Sequence, residues 1–116
     1  MVDDVRINSE LTSGEDVADL GGTLIACLAW KKAVAGRKLG PADGFTPEQR
    51  FYLGWAQAWR SKAREPALRN AILTGVHAPG RYRAETVRNQ DSWYPAFDVK
   101  PGQGRYLAPE QRVKVW

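Results

Sequence analysis

The chain is short of the residues that would let it act alone as a metal or redox protein. It has one cysteine, Cys27, so an internal disulfide is excluded, and one histidine, His77, so Cys27 and His77 together cannot complete a four-ligand structural zinc site. Any metal chemistry must borrow ligands. No apolar run reaches the roughly eighteen residues that a membrane span requires. The first eight residues carry Asp3 and Asp4 where a signal peptide would be basic and then apolar. A chain with no membrane segment and no export signal, cytoplasmic as it stands, is the expectation. There is also no internal repeat and no low-complexity tract. What is present is 43% hydrophobic residues, 26% charged residues and five Trp in 116 residues. That is too apolar and too aromatic for disorder, and it is the right length for one domain spanning 1–116.

Charge is unevenly placed. Up to Trp30 there are six acids and one base, a net of −5; beyond it sixteen bases face seven acids, a net of +9. A basic half can mark a nucleic-acid binder. Here Arg60, Lys62, Arg64, Arg69, Arg81, Arg83 and Arg88 are spread over a helix end, a second helix and a loop, with no Gly-aromatic RNA-binding signature beside them. Solvated basic faces account for them, and no nucleic-acid partner is expected.

Capping signals divide the chain into helices. Ser13-Gly14-Glu15-Asp16 predicts an N-cap at Ser13 and a helix running to about Ala35-Gly36. Val17, Leu20, Leu24 and Leu28 form its apolar stripe, and the second half is apolar nearly all round, which predicts a buried helix. Gly21 and Gly22 in its middle predict a close approach of another backbone. Thr46-Pro47-Glu48-Gln49 reads as a capping box with proline at the first helical position, opening a helix to about Ser61. Phe51, Trp55 and Trp59 recur along it every four residues as an aromatic ridge that core packing should cover. Glu65-Pro66 starts a third helix that Thr74-Gly75 ends. His77 to Arg83 reads as a loop, Asn89 to Phe97 as a short fourth helix, and Pro101 to Pro109 as coil. The final residue, Trp116, predicts a docked tail.

Glu15 and Asp19 lie four apart and so project from one face of the first helix, one turn apart. Like charges so placed repel by a few tenths of a kcal/mol unless a cation faces them. The positive end of the helix dipole would also favour acids there, so spacing alone leaves both a functional pair and a solvated acidic start open.

The wording around the pair is more specific. Gly14-Glu15-Asp16-Val17-Ala18-Asp19-Leu20-Gly21-Gly22 resembles the Gly-Glu-x-x-x-Asp-x-Gly-Gly segment of the neprilysin and endothelin-converting-enzyme family of zinc endopeptidases. Phe45-Thr46-Pro47-Glu48-Gln49 with Phe51 and Gly54 follows, then His77-x-Pro79-Gly80 with Tyr82-Arg83, then Arg112-Val113-Lys114-Val115-Trp116. Together they keep the order and approximate spacing of that family's carboxyl-terminal segment, from about Ile7 to Trp116. The resemblance implies an all-α fold, the helical C-terminal portion of a thermolysin-like catalytic domain with long coil connections. It implies that Glu15 is the third zinc ligand and that Asp19 orients a zinc-bound histidine. It implies further that His77 donates to the oxyanion on the scissile carbonyl and that Arg83 holds a substrate carbonyl.

The sequence departs from the family in one large respect. It contains no His-Glu-x-x-His, so two zinc ligands and the water-activating glutamate are missing, as is the strand that holds the peptide. With one ligand of three, the chain is expected to bind catalytic zinc only when another segment or chain supplies the histidines, and to be inactive alone. A complementary peptidase segment, or a second copy through faces left uncovered, is the expected partner, with peptide as substrate of the complete enzyme. Asp16 and Val17 stand where Asn and Ile are frequent, a mild change. The absence of the animal members' paired cysteines points to a bacterial-type relative. The rival expectation is a catalytically dead helical module that binds a partner protein.

Overall fold

A computed structural model describes residues 4–115, and these are helical, with no strand among them. The longest element is α1, Ser9–Val34. It starts one turn before the expected cap at Ser13: the Asn8 side chain accepts from the Glu10 N–H at 3.1 Å, and Ser9 to Thr12 include no residue that would halt a helix. Asn is as good an N-cap as Ser, so the earlier cap prevails.

The buried side of α1 coincides with its apolar stripe only in part. Thr12, Asp19, Leu20, Gly21, Thr23 and Cys27 are buried, whereas Val17, Ile25 and Leu28 are at least half exposed. Of the stripe, Leu20 is buried and Leu24 half-buried; the rest of the described chain packs mainly on the small, polar side of α1 and leaves Val17 and Leu28, with Ile25, open. A Cβ added at Gly22 would likewise meet nothing within 4 Å, so the backbone approach expected at that glycine is not made.

Helix α2, Pro47–Ala58, carries the expected capping box: the Thr46 hydroxyl accepts from the Gln49 N–H at 3.2 Å, and the Gln49 side chain accepts from the Thr46 N–H at 2.9 Å. It ends at Ala58, one turn short of the expected Ser61, because the chain turns at Trp59 to meet the segment after residue 79. The 42–45 turn before it places Asp43 and Gly44 at positive φ, 52° and 78°. Helix α3, Glu65–Thr74, has the predicted bounds. His77 to Arg83 is only partly a loop, since α4, Gly80–Ala84, is a single helical turn that carries Arg83. The helix expected over Asn89–Phe97 is shortened to α5, Trp93–Ala96, and a 3-10 turn, Glu85–Asn89, ends where it was expected to begin. Between them Gln90 is extended and buried, with Tyr52 Oη donating to its Oε1 at 3.4 Å.

The core lies where α1, α2 and the 85–97 segment meet. Cys27, Tyr52, Val87, Trp93 and Tyr94 are buried there, with Phe51, Trp55, Phe97 and Tyr106 half-buried around them. Of the residues along α2 it is Tyr52 that is fully enclosed, and the Phe51, Trp55, Trp59 ridge stays half-covered. The Tyr52 hydroxyl lies 2.6 Å from Ser92 Oγ and 3.8 Å from Cys27 Sγ. Burial, reinforced by the thiol, pushes its pKa well up, although the Ser92 hydrogen bond acts the other way.

The tail is docked through Arg112 and its neighbours. Arg112 donates to the Leu107 carbonyl from Nε and Nη2, pairs with Asp91 at 2.8 Å, and lies 3.7 Å over the Tyr94 ring. Lys114 reaches the same Asp91 at 2.7 Å, and these two cations hold the Asp91 carboxyl below its ordinary range. Trp116, on which the docking expectation rested, lies outside the described residues.

Candidate functional site

The second and third turns of α1 carry Glu15 and Asp19, and α4 brings a cation onto them. Helical geometry stacks Glu15 under Asp19, as their spacing predicts. Arg83 then closes a fork on Asp19: Nε donates to Oδ2 at 2.6 Å and Nη2 to Oδ1 at 2.7 Å. Nη2 also reaches Glu15 Oε2 at 3.5 Å. The side chains of Arg83 and Asp19 are 12% and 9% exposed, so water screens this pair little. Hydrogen bonding to Asp19 raises the guanidinium's pKa further, which keeps it a cation. The repulsion expected between two acids one turn apart is thus offset by a charge 64 positions beyond Asp19.

His77, from the connection between α3 and α4, places Nε2 at 3.2 Å from the same Glu15 Oε2. All four residues picked from the sequence therefore meet in one place. Asp16, the neighbouring acid, is turned aside and accepts from the Thr12 hydroxyl at 2.9 Å.

Two aromatic residues complete the arrangement, and their ridge spacing had pointed to packing alone. The Arg83 guanidinium lies 4.0 Å over the Trp59 ring, a cation–π contact, and Trp55 Nε1 donates to the Arg83 carbonyl at 3.3 Å. No local signal distinguishes such indoles from core ones, because their partner arrives from a distant element.

Among the described residues no group of three His, Cys, Asp or Glu could hold a metal ion. The donor chemistry at Glu15 nevertheless suits one ligand position. Its side chain is 43% exposed, its Oε2 is engaged by His77 and Arg83, and its Oε1 accepts no hydrogen bond among the described residues. Arg83 likewise has Nη1 unengaged there. A cleft of about 460 Å³, lined by Tyr52, Val87, Trp93 and Phe97 among others, has none of Glu15, Asp19, His77 and Arg83 in its wall.

The profile of peptidase family M13 matches residues 1–113. The chain belongs to peptidase family M13. Within it, the neutral endopeptidase of Lactobacillus helveticus is 35% identical over 112 residues, 96% of this chain and 16% of that protein. Mouse neprilysin is 33% identical over 115 residues, again 96% of this chain and 15% of its own length. The M13 zinc metalloprotease Zmp1 of Mycobacterium tuberculosis, solved in complex with an inhibitor, superposes with a TM-score of 0.90 at 38% identity, covering 95% of this chain and 17% of Zmp1. The M13 chain thus spans about a sixth of the length of these relatives, and its helices have the arrangement found in a zinc metalloprotease.

Proposed function

We propose that this M13 chain is the part of a zinc-dependent metalloendopeptidase that contributes the third zinc ligand together with oxyanion-binding and substrate-binding groups, and that it is inactive by itself. The convergence of Glu15, Asp19, His77 and Arg83, with Glu15 Oε1 and Arg83 Nη1 unbonded among the described residues, carries this reading. Glu15 would hold the metal through a carboxylate oxygen, the remaining two ligands coming from histidines of another segment. Zinc, when bound, polarises the scissile carbonyl and acidifies a water.

The chain's own residues supply positioning. Arg83, clamped by two hydrogen bonds to Asp19 and seated on Trp59, offers the two N–H groups of Nη1 to a substrate carbonyl. A guanidinium fixed in this way gives up little further freedom on binding, which favours orientation of the peptide. His77, now on Glu15, is the donor for charge developing on the attacked carbonyl oxygen. Asp19 spends both oxygens on Arg83, yet each carboxylate oxygen accepts more than one hydrogen bond, so a zinc-bound histidine can share it.

The test compares the purified chain with the chain mixed with a polypeptide carrying a His-Glu-x-x-His helix of an M13 peptidase. Metal content and peptide hydrolysis are read for both. The chain alone is expected to be folded, to retain no zinc and to cleave nothing. Chelator-sensitive hydrolysis by the isolated chain that survives exhaustive purification would overturn the proposal.

A second reading, an interaction module without catalysis, is favoured by one observation: Val17, Ile25 and Leu28 of α1 stand at least half exposed on one long helix. Apolar surface so left open associates with something. Under the first reading the peptidase complement covers it, and the isolated chain self-associates and binds hydrophobic dyes. A chain monomeric at high concentration and inert to such dyes would remove this second reading and count against the uncovered face that the first one assumes.

A further inference from the structure

We propose that Trp55, with Gly80, is a positioning residue that sets Arg83 in the site. This inference rests on the reading that Arg83 holds a substrate carbonyl. The need for such a device follows from α4 itself. It is a five-residue turn with no side-chain cap, too short to be stable through its own hydrogen bonds. The flexible side chain it carries must nevertheless present Nε and Nη2 to Asp19 so that Nη1 is left for the substrate.

The end of α2 supplies the support at three points. The first is a close approach: a Cβ built on Gly80 would lie 2.6 Å from the Trp59 carbonyl oxygen, so only glycine lets α4 begin against that carbonyl. The second is the Trp55 indole N–H, which donates to the Arg83 carbonyl at 3.3 Å and fixes the turn's far end. The third is the Trp59 ring beneath the guanidinium at 4.0 Å, itself held edge-on by Trp55 with ring centroids 5.3 Å apart. Trp55 therefore acts on Arg83 both through its main chain and through the ring below its side chain. Packing alone would require a ring at position 55; the indole N–H aimed at the Arg83 carbonyl is what packing does not require.

Trp55→Phe removes that N–H and keeps an aromatic ring. The readout is solvent exchange of the Arg83 Nε–H in the ¹⁵N-labelled full-length chain, assigned by its loss in Arg83→Lys. In the parent chain this proton exchanges more slowly than those of the exposed arginines. In Trp55→Phe its exchange accelerates about fivefold, the factor associated with one neutral hydrogen bond, while the Trp93 indole N–H in the core keeps its rate. Gly80→Ala, acting on the other end of the turn, accelerates it at least as much. An unchanged Arg83 rate in Trp55→Phe, or an equal acceleration at Trp93, would overturn the proposal, the latter because it would mark general loosening. A second measurement separates this inference from the reading beneath it. In an M13 peptidase assembled with this chain, Trp55→Phe raises KM with kcat nearly unchanged. If Arg83 exchange accelerates and KM does not move, the positioning role stands and the substrate-binding role of Arg83 falls.

Discussion

Replacing Arg83 by Met tests whether the α1 acids are a built site or a solvated helix start. The substitution keeps an unbranched chain over the Trp59 ring and removes two short charge-assisted hydrogen bonds, 2.6 and 2.7 Å, from a carboxylate only 9% exposed. An Asp19 so enclosed cannot recover full hydration, so the cost is that of a buried pair broken on one side, about 3–5 kcal/mol. For a domain whose whole stability is about 5–15 kcal/mol, that is a large share. At about 4–8 °C per kcal/mol for a chain near this size, the melting temperature should fall by about 12 °C or more. Thermal melting followed by circular dichroism at 222 nm, with urea unfolding beside it, gives the number. The double variant Asp19→Leu, Arg83→Met removes both charges together and should lie closer to the parent than Arg83→Met does, since no unpaired charge remains. A loss below about 1 kcal/mol for Arg83→Met is what exposed ion pairs give, and it would refute the argument that the pair is desolvated.

Other expectations rest on separate parts of the molecule. In an assembled peptidase, Glu15→Gln should remove zinc and activity together, whereas Asp19→Asn should keep some metal and lower affinity or rate about 10–100-fold. His77→Ala there should retain zinc and lose on the order of 2.7–4 kcal/mol of transition-state stabilisation, read from kcat/KM. Tyr52→Phe should destabilise the chain by about 1–2 kcal/mol by leaving Ser92 and Gln90 short of a partner. Because the pKa of Tyr52 is raised by folding, its stabilising contribution is complete below its ordinary value of 10.0 and is lost as the pH climbs above it. Absorbance at 295 nm should show one tyrosine ionising only with unfolding. Asp91 has the opposite sign: its pKa is lowered by Lys114 and Arg112, so the tail contact holds above pH 3.8 and weakens as the pH drops below it. Amide protection over 107–114, relative to intrinsic exchange at each pH, should fall in acid before that of α1 does, and Asp91→Asn should reproduce the loss at neutral pH.

Elements specified by adjacent residues were legible in the sequence. Thr46, Pro47 and Gln49 carry within four positions all that a capping box needs, and Glu65-Pro66 and Thr74-Gly75 bound α3 in the same local way. Where two local signals competed, the reading slipped: Asn8 and Ser13 are both competent caps, and nothing between them stops the helix from starting earlier. The path from Asn89 to Phe97 broke for a different reason, because Gln90 is drawn inward toward a hydroxyl on α2. The largest departure concerns α1. Its periodicity identified an apolar stripe, but which side of a helix is buried depends on which other elements exist to cover it, and this chain's remaining segments lie on Thr12, Asp19, Thr23 and Cys27.

The candidate site divides along the same line. That Glu15 and Asp19 share a face is a property of helical spacing, determined by the sequence alone. The resemblance of the motifs around Glu15, His77 and Arg83 identified the M13 family before any geometry was known. Tertiary structure alone decided that Arg83 spends two nitrogens on Asp19, that His77 and Arg83 meet on one oxygen of Glu15, and that Trp55 and Trp59 carry the cation. Such contacts join positions far apart in the chain, and a long-range contact leaves no period or spacing in the residues on either side of it. It exists only once α1, α2 and α4 have packed, and the charge on a lone arginine then acquires its meaning from the two carboxylates that it meets.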